Sequence, residues 1–333
     1  MKYTEKDALR AAQTVFENAS LARKITKGYS HEIYEVETNL YPKKVIVRFS
    51  NNSLPEYSLE KEIKINKILQ KLGIPVPRII LHDKSRKKVP VEFVVLSKLD
   101  GTDLDKILRK LSKKEQTEIM EKVGSLLGKI HIIKYTELGM IMPEGIKEKA
   151  SFSLKQEDKQ LSMDPGIKTV LSEFFEDLGN LSSFGIINDK FILRLSEYLL
   201  ENKQLAEINE KPSLIHGDYY DQNIKIKKIK GKWQITGLMD FEYAASKMRE
   251  YDFIKLKRNG FLEKGHLRDA LLKGYKKSQN IDENFDKKVD YFTIGRDAAF
   301  CVYLLKSGNL DFATKILNRI KQKIGFNGEV FTN

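Results

Sequence analysis

The sequence predicts an α+β protein of two unequal lobes, a small one built on an antiparallel sheet and a larger one that is mostly helical. Three observations predict it. Several alternating apolar and polar runs fall within residues 1–96, helical periodicity dominates from Thr102 onward, and a strand pair bearing Asp and Asn interrupts those helices after residue 213. A chain of 333 residues also exceeds what one ordinary core needs.

Taken in order, TEKDALRAAQ opens an amphipathic helix, with Thr4 as cap and Asp7 three residues on. The runs from 28 to 38 and from 43 to 50 alternate as antiparallel strands around a turn at Tyr41-Pro42. Apolar residues at 59, 63, 65, 68, 69 and 72 then mark one helix ending at Gly73. IPVPRIILHD and VEFVVLSKLDG give two more strands, separated by the charged turn KSRKK. The stretch SKLDG, residues 97–101, is the expected hinge between a first lobe (1–96) and a second (102–333). Beyond it, EIMEKVGSLLGKIHII, VLSEFFEDLGNL, DKFILRLSEYLLEN, FDKKVDYFTIGRDAAFCVYLLKSG and DFATKILNRIKQKIG read as helices.

Composition narrows the function classes. Hydrophobic residues make up 41% of the chain, enough to fill two cores, and no apolar run approaches the ~18 residues of a membrane span. The first residues are too polar for a secretory signal, and one cysteine, Cys301 in AAFCVYLL, supports neither a disulfide framework nor a thiolate metal site. A buried thiol and a reducing, cytoplasmic setting are expected. The net charge of +13 comes from 47 lysines against 12 arginines, scattered rather than gathered in a stripe. Nucleic-acid readout leans on arginine, so no nucleic acid is expected as partner, and with no spanning run no membrane either. The densest basic run, KIKKIKGKW, reads as a half-buried hairpin with a solvated lysine face.

Chemistry concentrates in LIHGDYYDQN (214–223) and GLMDFEYA (237–244). An Asp just past a strand, an Asn five residues on, and a second Asp at the tip of the next strand suit phosphoryl transfer from a nucleotide. That reaction needs a carboxylate beside the attacking hydroxyl and oxygen ligands for magnesium on the phosphates. Singly, each of these residues has ordinary turn and cap chemistry as its alternative.

VIVRF (45–49), EIKINKILQKLGIPVPRII (62–80), VVLSKLDG (94–101), HGDYYDQN (216–223), MDFEYA (239–244) and YDFIKL (251–256), in this order, resemble the aminoglycoside phosphotransferase and choline-kinase-like family, whose fold is protein-kinase-like. The resemblance implies ATP or GTP and Mg2+ as cofactors, Asp218 beside the acceptor hydroxyl, and Asn223 and Asp240 as metal ligands. It implies Arg48 as the cation on the nucleotide's phosphates, with Glu62 as its partner and Glu60 as a competitor. Ser30 and nearby amides would touch a phosphate, although TKGYSHEIY has a single glycine, Gly28, where protein kinases carry three. Leu96 would bound the base, with the Ser97 carbonyl and the Leu99 amide on the purine edge. Asp252 would brace the catalytic loop, while Lys247, Met248 and Arg249 stand where relatives often carry Gly-Asp-Pro. His216 is expected to shape its turn.

Gly217 precedes Asp218 where protein kinases have Arg, only eleven residues separate Asp240 from Asp252, and no A-P-E sequence follows. These features favour a small-molecule acceptor. A cationic one, such as an aminoglycoside, would draw on Asp221 and Glu242; choline-like, sugar and amino-alcohol acceptors are alternatives. Asp282, Glu283, Asp286 and Asp290 read rather as a solvated helix face interrupted by Lys287 and Lys288. A catalytically silent nucleotide-binding regulator and a basic nucleic-acid-binding protein are the competing classes.

Overall fold

Helix α1 (Glu5–Gln13) opens the computed structural model, which describes residues 3–25, 32–50, 59–142, 145–147 and 164–332. Its capping box is formed: the Thr4 amide donates to Asp7 at 2.9 Å and the Asp7 amide to the Thr4 hydroxyl at 3.3 Å. The strands β1 (Leu21–Ile25), β2 (Glu32–Glu37) and β3 (Lys44–Phe49) follow, then helix α2 (Leu59–Lys71) and strands β4 (Ile79–Asp83) and β5 (Phe93–Ser97). They form one antiparallel sheet in the order β1-β2-β3-β5-β4. The sequence reading missed β1. Only Ala22 of its five residues is buried, so this edge strand carries no apolar alternation to read.

Period two decides what each face of this sheet meets. Val45, Val47, Phe93 and Val95 bury toward α1, whereas Val94 and Leu96 meet Leu59 and Ile63 of α2 on the other face. Arg48 falls in the register of that second face, so its side chain is delivered to α2. The helix is also shared: Ile65 and Leu69 on its far side enter the core of the helical part.

Residues 97–101 lead into β6 (Thr102–Asp103), α3 (Leu104–Ile107) and α4 (Lys113–Ile130). Next come β7 (Gly139–Met142), β8 (Gly145–Lys147), α5 (Pro165–Ser182), α6 (Asp189–Glu201) and β9 (Ser213–Ile215). The chain ends with β10 (Ile224–Ile229), β11 (Lys232–Leu238), β12 (Ala245–Lys247), α7 (Phe253–Arg258), α8 (His266–Tyr275), α9 (Phe285–Lys306) and α10 (Leu310–Lys323). Two small sheets, β11-β10-β6 and β8-β7-β12-β9, sit among the helices. The basic run forms the β10–β11 hairpin turning at Lys230-Gly231, with Lys228 to Lys232 exposed.

Helices α4 and α8 approach until their backbones nearly touch. A Cβ on Gly124 would lie 1.8 Å from the Leu271 carbonyl oxygen, and one on Gly274 would lie 1.8 Å from that of Glu121. Only glycine fits at either crossing point. The short α8 was not foreseen, because the same glycine that permits this contact weakens its helical signal. Cys301 is fully buried on α9, and burial pushes its thiol up to about 12. No described helix is long and apolar enough to cross a membrane.

Candidate active site

The loop after β9 is held by one buried carboxylate. Asp252, 1% exposed, accepts from the backbone amides of His216 and Gly217, both at 2.7 Å, and contacts His131 Nε2 at 3.0 Å. Gly217 is at φ +79°, and a Cβ there would lie 2.3 Å from the Tyr243 carbonyl oxygen. The loop can therefore press against the segment after β11 only with glycine at this position. His216 uses both ring nitrogens on backbone: Nδ1 accepts from the Asp218 amide at 3.2 Å and Nε2 lies 3.0 Å from the Met239 carbonyl. A carbonyl only accepts, so the pattern calls for the Nε2–H tautomer and gives His216 a turn-shaping place. Replacing Asp252 by Ala strands the buried His216 amide, the part-buried Gly217 amide and His131. We expect a loss on the order of 3 kcal/mol in denaturant unfolding, together with a fall in turnover. An unchanged unfolding midpoint would mean that the loop is held by other contacts.

The β10–β11 hairpin brings the two metal-ligand candidates together. Its open end pairs Ile224 with Leu238, and one step further the Met239 amide donates to the Asn223 carbonyl at 3.1 Å. Asn223 and Asp240 thus become spatial neighbours across seventeen residues of chain. The Asn223 Nδ2 donates to the Asp218 carbonyl at 2.9 Å and to its Oδ2 at 3.1 Å, which leaves the amide oxygen as its acceptor group. Asp240 occupies the left-handed region at φ +73°, where Asp is among the more tolerant residues. Burial raises its carboxyl above the ordinary range, and the Arg48 guanidinium opposes that rise.

Arg48 and Glu62 form a buried fork, with NH1 to Oε2 at 2.6 Å and NH2 to Oε1 at 3.0 Å. Glu60, the competitor, instead reaches Lys84 at the surface at 2.5 Å. Carboxylate oxygens of Glu62, Asp240 and Glu242 lie within 4.8 Å of one another, so Glu242 is drawn into the cleft rather than onto an open acceptor surface. Lys61, wholly buried on α2, donates to the carbonyls of Glu242 and Ala244, tying α2 directly to the Asp240 loop. That tie has no periodic signal in the sequence.

Ser97 ends β5, and Leu99 packs on Gly237 of β11. The linker is stitched to the same hairpin: Thr236 Oγ1 donates to the Asp100 carbonyl at 2.6 Å, and Lys225↔Asp103 pairs β10 with β6. Ser30 and Gly28 lie outside the described residues. Asp221 is half-buried, and burial followed by the charge of Asp105 raises its carboxyl. Lys247 pairs with Glu173 at 2.6 Å and Arg249 with Glu210 at 2.9 Å, which fixes the segment that lacks Gly-Asp-Pro. Asp282 pairs with Lys288, Asp286 with Arg268, and Asp290 with Lys257 and Lys323, as a solvated charged face would.

A further residue of the site was not foreseen. Lys255, on α7, places Nζ 2.5 Å from Asp218 Oδ1 and 4.5 Å from the centre of the Tyr220 ring. Its only sequence signal is its position one helical turn after Asp252.

The phosphotransferase enzyme family model matches residues 22–285. Among solved structures, the GDP complex of wild-type aminoglycoside 2'-phosphotransferase-IIIa is 16% identical, with 98% of this chain and 100% of that chain covered and a TM-score of 0.64. A thermostable mutant of aminoglycoside phosphotransferase APH(4)-Ia, in ternary complex with ADP and hygromycin B, is 12% identical over 97% of this chain and 100% of that chain, at a TM-score of 0.66. A crystal structure described as a putative aminoglycoside phosphotransferase from Ralstonia eutropha is 14% identical, covering 96% of each chain at 0.66. At these identities the likeness is one of fold, the two-lobed kinase-like one. Human acyl-CoA dehydrogenase family member 11 is 24% identical over 169 residues, 50% of this chain, and the match spans 19% of that protein's length.

Proposed function

We propose that this chain, which belongs to the phosphotransferase enzyme family, transfers the terminal phosphoryl group of ATP or GTP to a hydroxyl of a small molecule. The observation that carries this reading is the meeting of Asp218, Asn223 and Asp240 at the open end of one hairpin, within electrostatic reach of the buried Arg48–Glu62 fork. Residues 97–101 act as the hinge between a nucleotide-binding part (1–96) and a larger part (102–333). The Ser97 carbonyl and Leu99 amide take the purine edge, and Leu96 lines its face. Arg48, oriented by Glu62, reaches the inner phosphates, and Ser30 contributes there as well.

Asp218 receives the proton of the acceptor hydroxyl as its oxygen bonds to the γ-phosphorus and the bond to the bridging oxygen breaks, releasing the diphosphate. Asn223 and Asp240 offer the hard oxygen donors that magnesium prefers, and the desolvated Asp240 carboxyl is the kind that a dication stabilises in its charged form. Bound there, the metal would neutralise charge on the β and γ phosphates. The burial of Glu242 beside Glu62 and Asp240 supports a role on this metal–nucleotide side.

For the acceptor, the half-buried Asp221 of the catalytic loop supports an amine-bearing compound, an aminoglycoside-like amino sugar or an amino-alcohol, because a partly desolvated carboxylate is favoured in its charged form by a cation. Nucleotide consumption by the purified protein, with magnesium and either ATP or GTP, should be followed across aminoglycosides, choline, amino-alcohols and neutral sugars. Turnover with an amine-bearing member is expected. Response to neutral or anionic compounds alone would remove the amine assignment and leave phosphoryl transfer standing. No turnover with any acceptor would remove the reading itself.

A further inference from the structure

We infer that Lys255 is a further catalytic residue of this site, whose ammonium contacts the phosphoryl group in transfer; the inference rests on the phosphotransferase reading. Two neighbours fix its position. Nζ is 2.5 Å from Asp218 Oδ1 and lies over the Tyr220 ring at 4.5 Å, while the side chain keeps 39% of its exposure. A lysine serving only to pack would not hold its charge in the mouth of a site, and a purely solvated one would not be pinned on two partners.

The backbone of Lys255 is brought to the loop by where the residue sits in the chain. Asp252, just before α7, binds the amides of His216 and Gly217 in the loop that carries Asp218. The same three-residue step that separates Asp252 from Lys255 is nearly one helical turn. Loop and helix are thus fastened at Asp252, and the distance from Lys255 to Asp218 follows from that fastening.

The two oxygens of Asp218 have different company. Oδ2 accepts from Asn223 Nδ2 at 3.1 Å, on the metal side, and Oδ1 faces Lys255. Each oxygen has a second lone-pair direction, so the acceptor hydroxyl can share the carboxylate without displacing either partner. An acceptor oxygen hydrogen-bonded to Asp218 and in line with the γ-phosphorus puts the non-bridging phosphoryl oxygens next to the cation already held there.

Charge supplies the second argument. The γ-phosphoryl, itself anionic, must approach a cleft that contains Asp218, Asp240, Glu62 and Glu242. Arg48 is committed to Glu62 on the nucleotide side. Among the described residues Lys255 is the cation that pairs with Asp218, where repulsion between carboxylate and phosphoryl would otherwise be greatest. During transfer the acceptor proton goes to Asp218, the oxygen–phosphorus bond forms, and the bond to the bridging oxygen breaks. The Lys255 ammonium takes no part in the proton transfer and offsets the charge of the reacting phosphoryl as it passes to the acceptor oxygen.

The test compares Lys255→Met and Lys255→Arg with the wild-type protein. Lys255→Met should lower kcat by about 10²-fold, with thermal midpoint and ADP affinity unchanged, and it should weaken a non-hydrolysable ATP analogue more than ADP. Lys255→Arg should restore kcat to within about tenfold of wild type, since it returns the charge with different geometry. Slow hydrolysis by water of whichever nucleotide the wild type uses, read without any acceptor, should follow the same order. Wild-type kcat in Lys255→Met overturns the inference, as does a loss confined to the acceptor KM. A wild-type protein that consumes no nucleotide ends the phosphotransferase reading and this inference together, whereas normal wild-type turnover with an unaffected Lys255→Met ends this inference alone.

Discussion

Asp218→Asn is expected to lower kcat by roughly 10²-fold or more while leaving nucleotide affinity within a few-fold of wild type. The substitution is nearly isosteric, and its amide oxygen can still accept from Asn223 Nδ2, which now bonds Asp218 Oδ2 at 3.1 Å. The loop is anchored elsewhere, by Asp252 on the amides of His216 and Gly217, so the fold around the site should persist. What disappears is a group able to take the acceptor proton and to hold the Lys255 ammonium at 2.5 Å. Steady-state kinetics and direct nucleotide binding separate these effects. Turnover at the wild-type rate would remove Asp218 from the mechanism.

Asp240→Ala should act on a different quantity. It removes a charged oxygen donor adjacent to Asn223, so affinity for the magnesium–nucleotide complex should fall by at least about tenfold, or ~1.4 kcal/mol, and turnover should become undetectable. The residue sits at φ +73°, which Ala tolerates poorly, so this variant also strains the backbone. Asp240→Asn controls for that. Asn accepts the left-handed conformation and keeps the size while lacking the charge, and it should show the same affinity loss. Chelation should abolish wild-type activity. Equal nucleotide affinity with and without magnesium would contradict the assignment of Asn223 and Asp240.

Particular residues show how much of this was legible. The Thr4 cap, α2 ending before Gly73, the KIKKIKGKW hairpin and the buried Cys301 were all readable, because each depends on neighbours within about one turn or one strand length. The choice of Glu62 over Glu60 as the partner of Arg48 was a matter of register, and the side-chain geometry makes it: two residues apart on one helix, one meets the sheet and the other meets Lys84. Strand β1 escaped because an edge strand with one buried residue resembles a loop. The α4–α8 crossing escaped because glycine reads as a helix breaker unless its partner backbone is known. Lys255 escaped because nothing local distinguishes it from Lys257, two residues on, which pairs with Asp290.

By itself the sequence determined the α+β class, the order of sheet, linker and helices, and the chemical residues in their strand–loop settings. Periodicity and turn chemistry are short-range properties, and 333 residues spell them out directly. Only the tertiary structure decided which of those groups meet: Asp252 under the His216–Gly217 turn, Lys61 on the carbonyls of Glu242 and Ala244, Glu242 beside Glu62, and Lys255 on Asp218. These partners are separated by anything from 35 residues of chain in the first case to 183 in the second. Their encounter is set by how buried faces pack against one another, and a charged side chain records nothing locally about the distant group that will neutralise it.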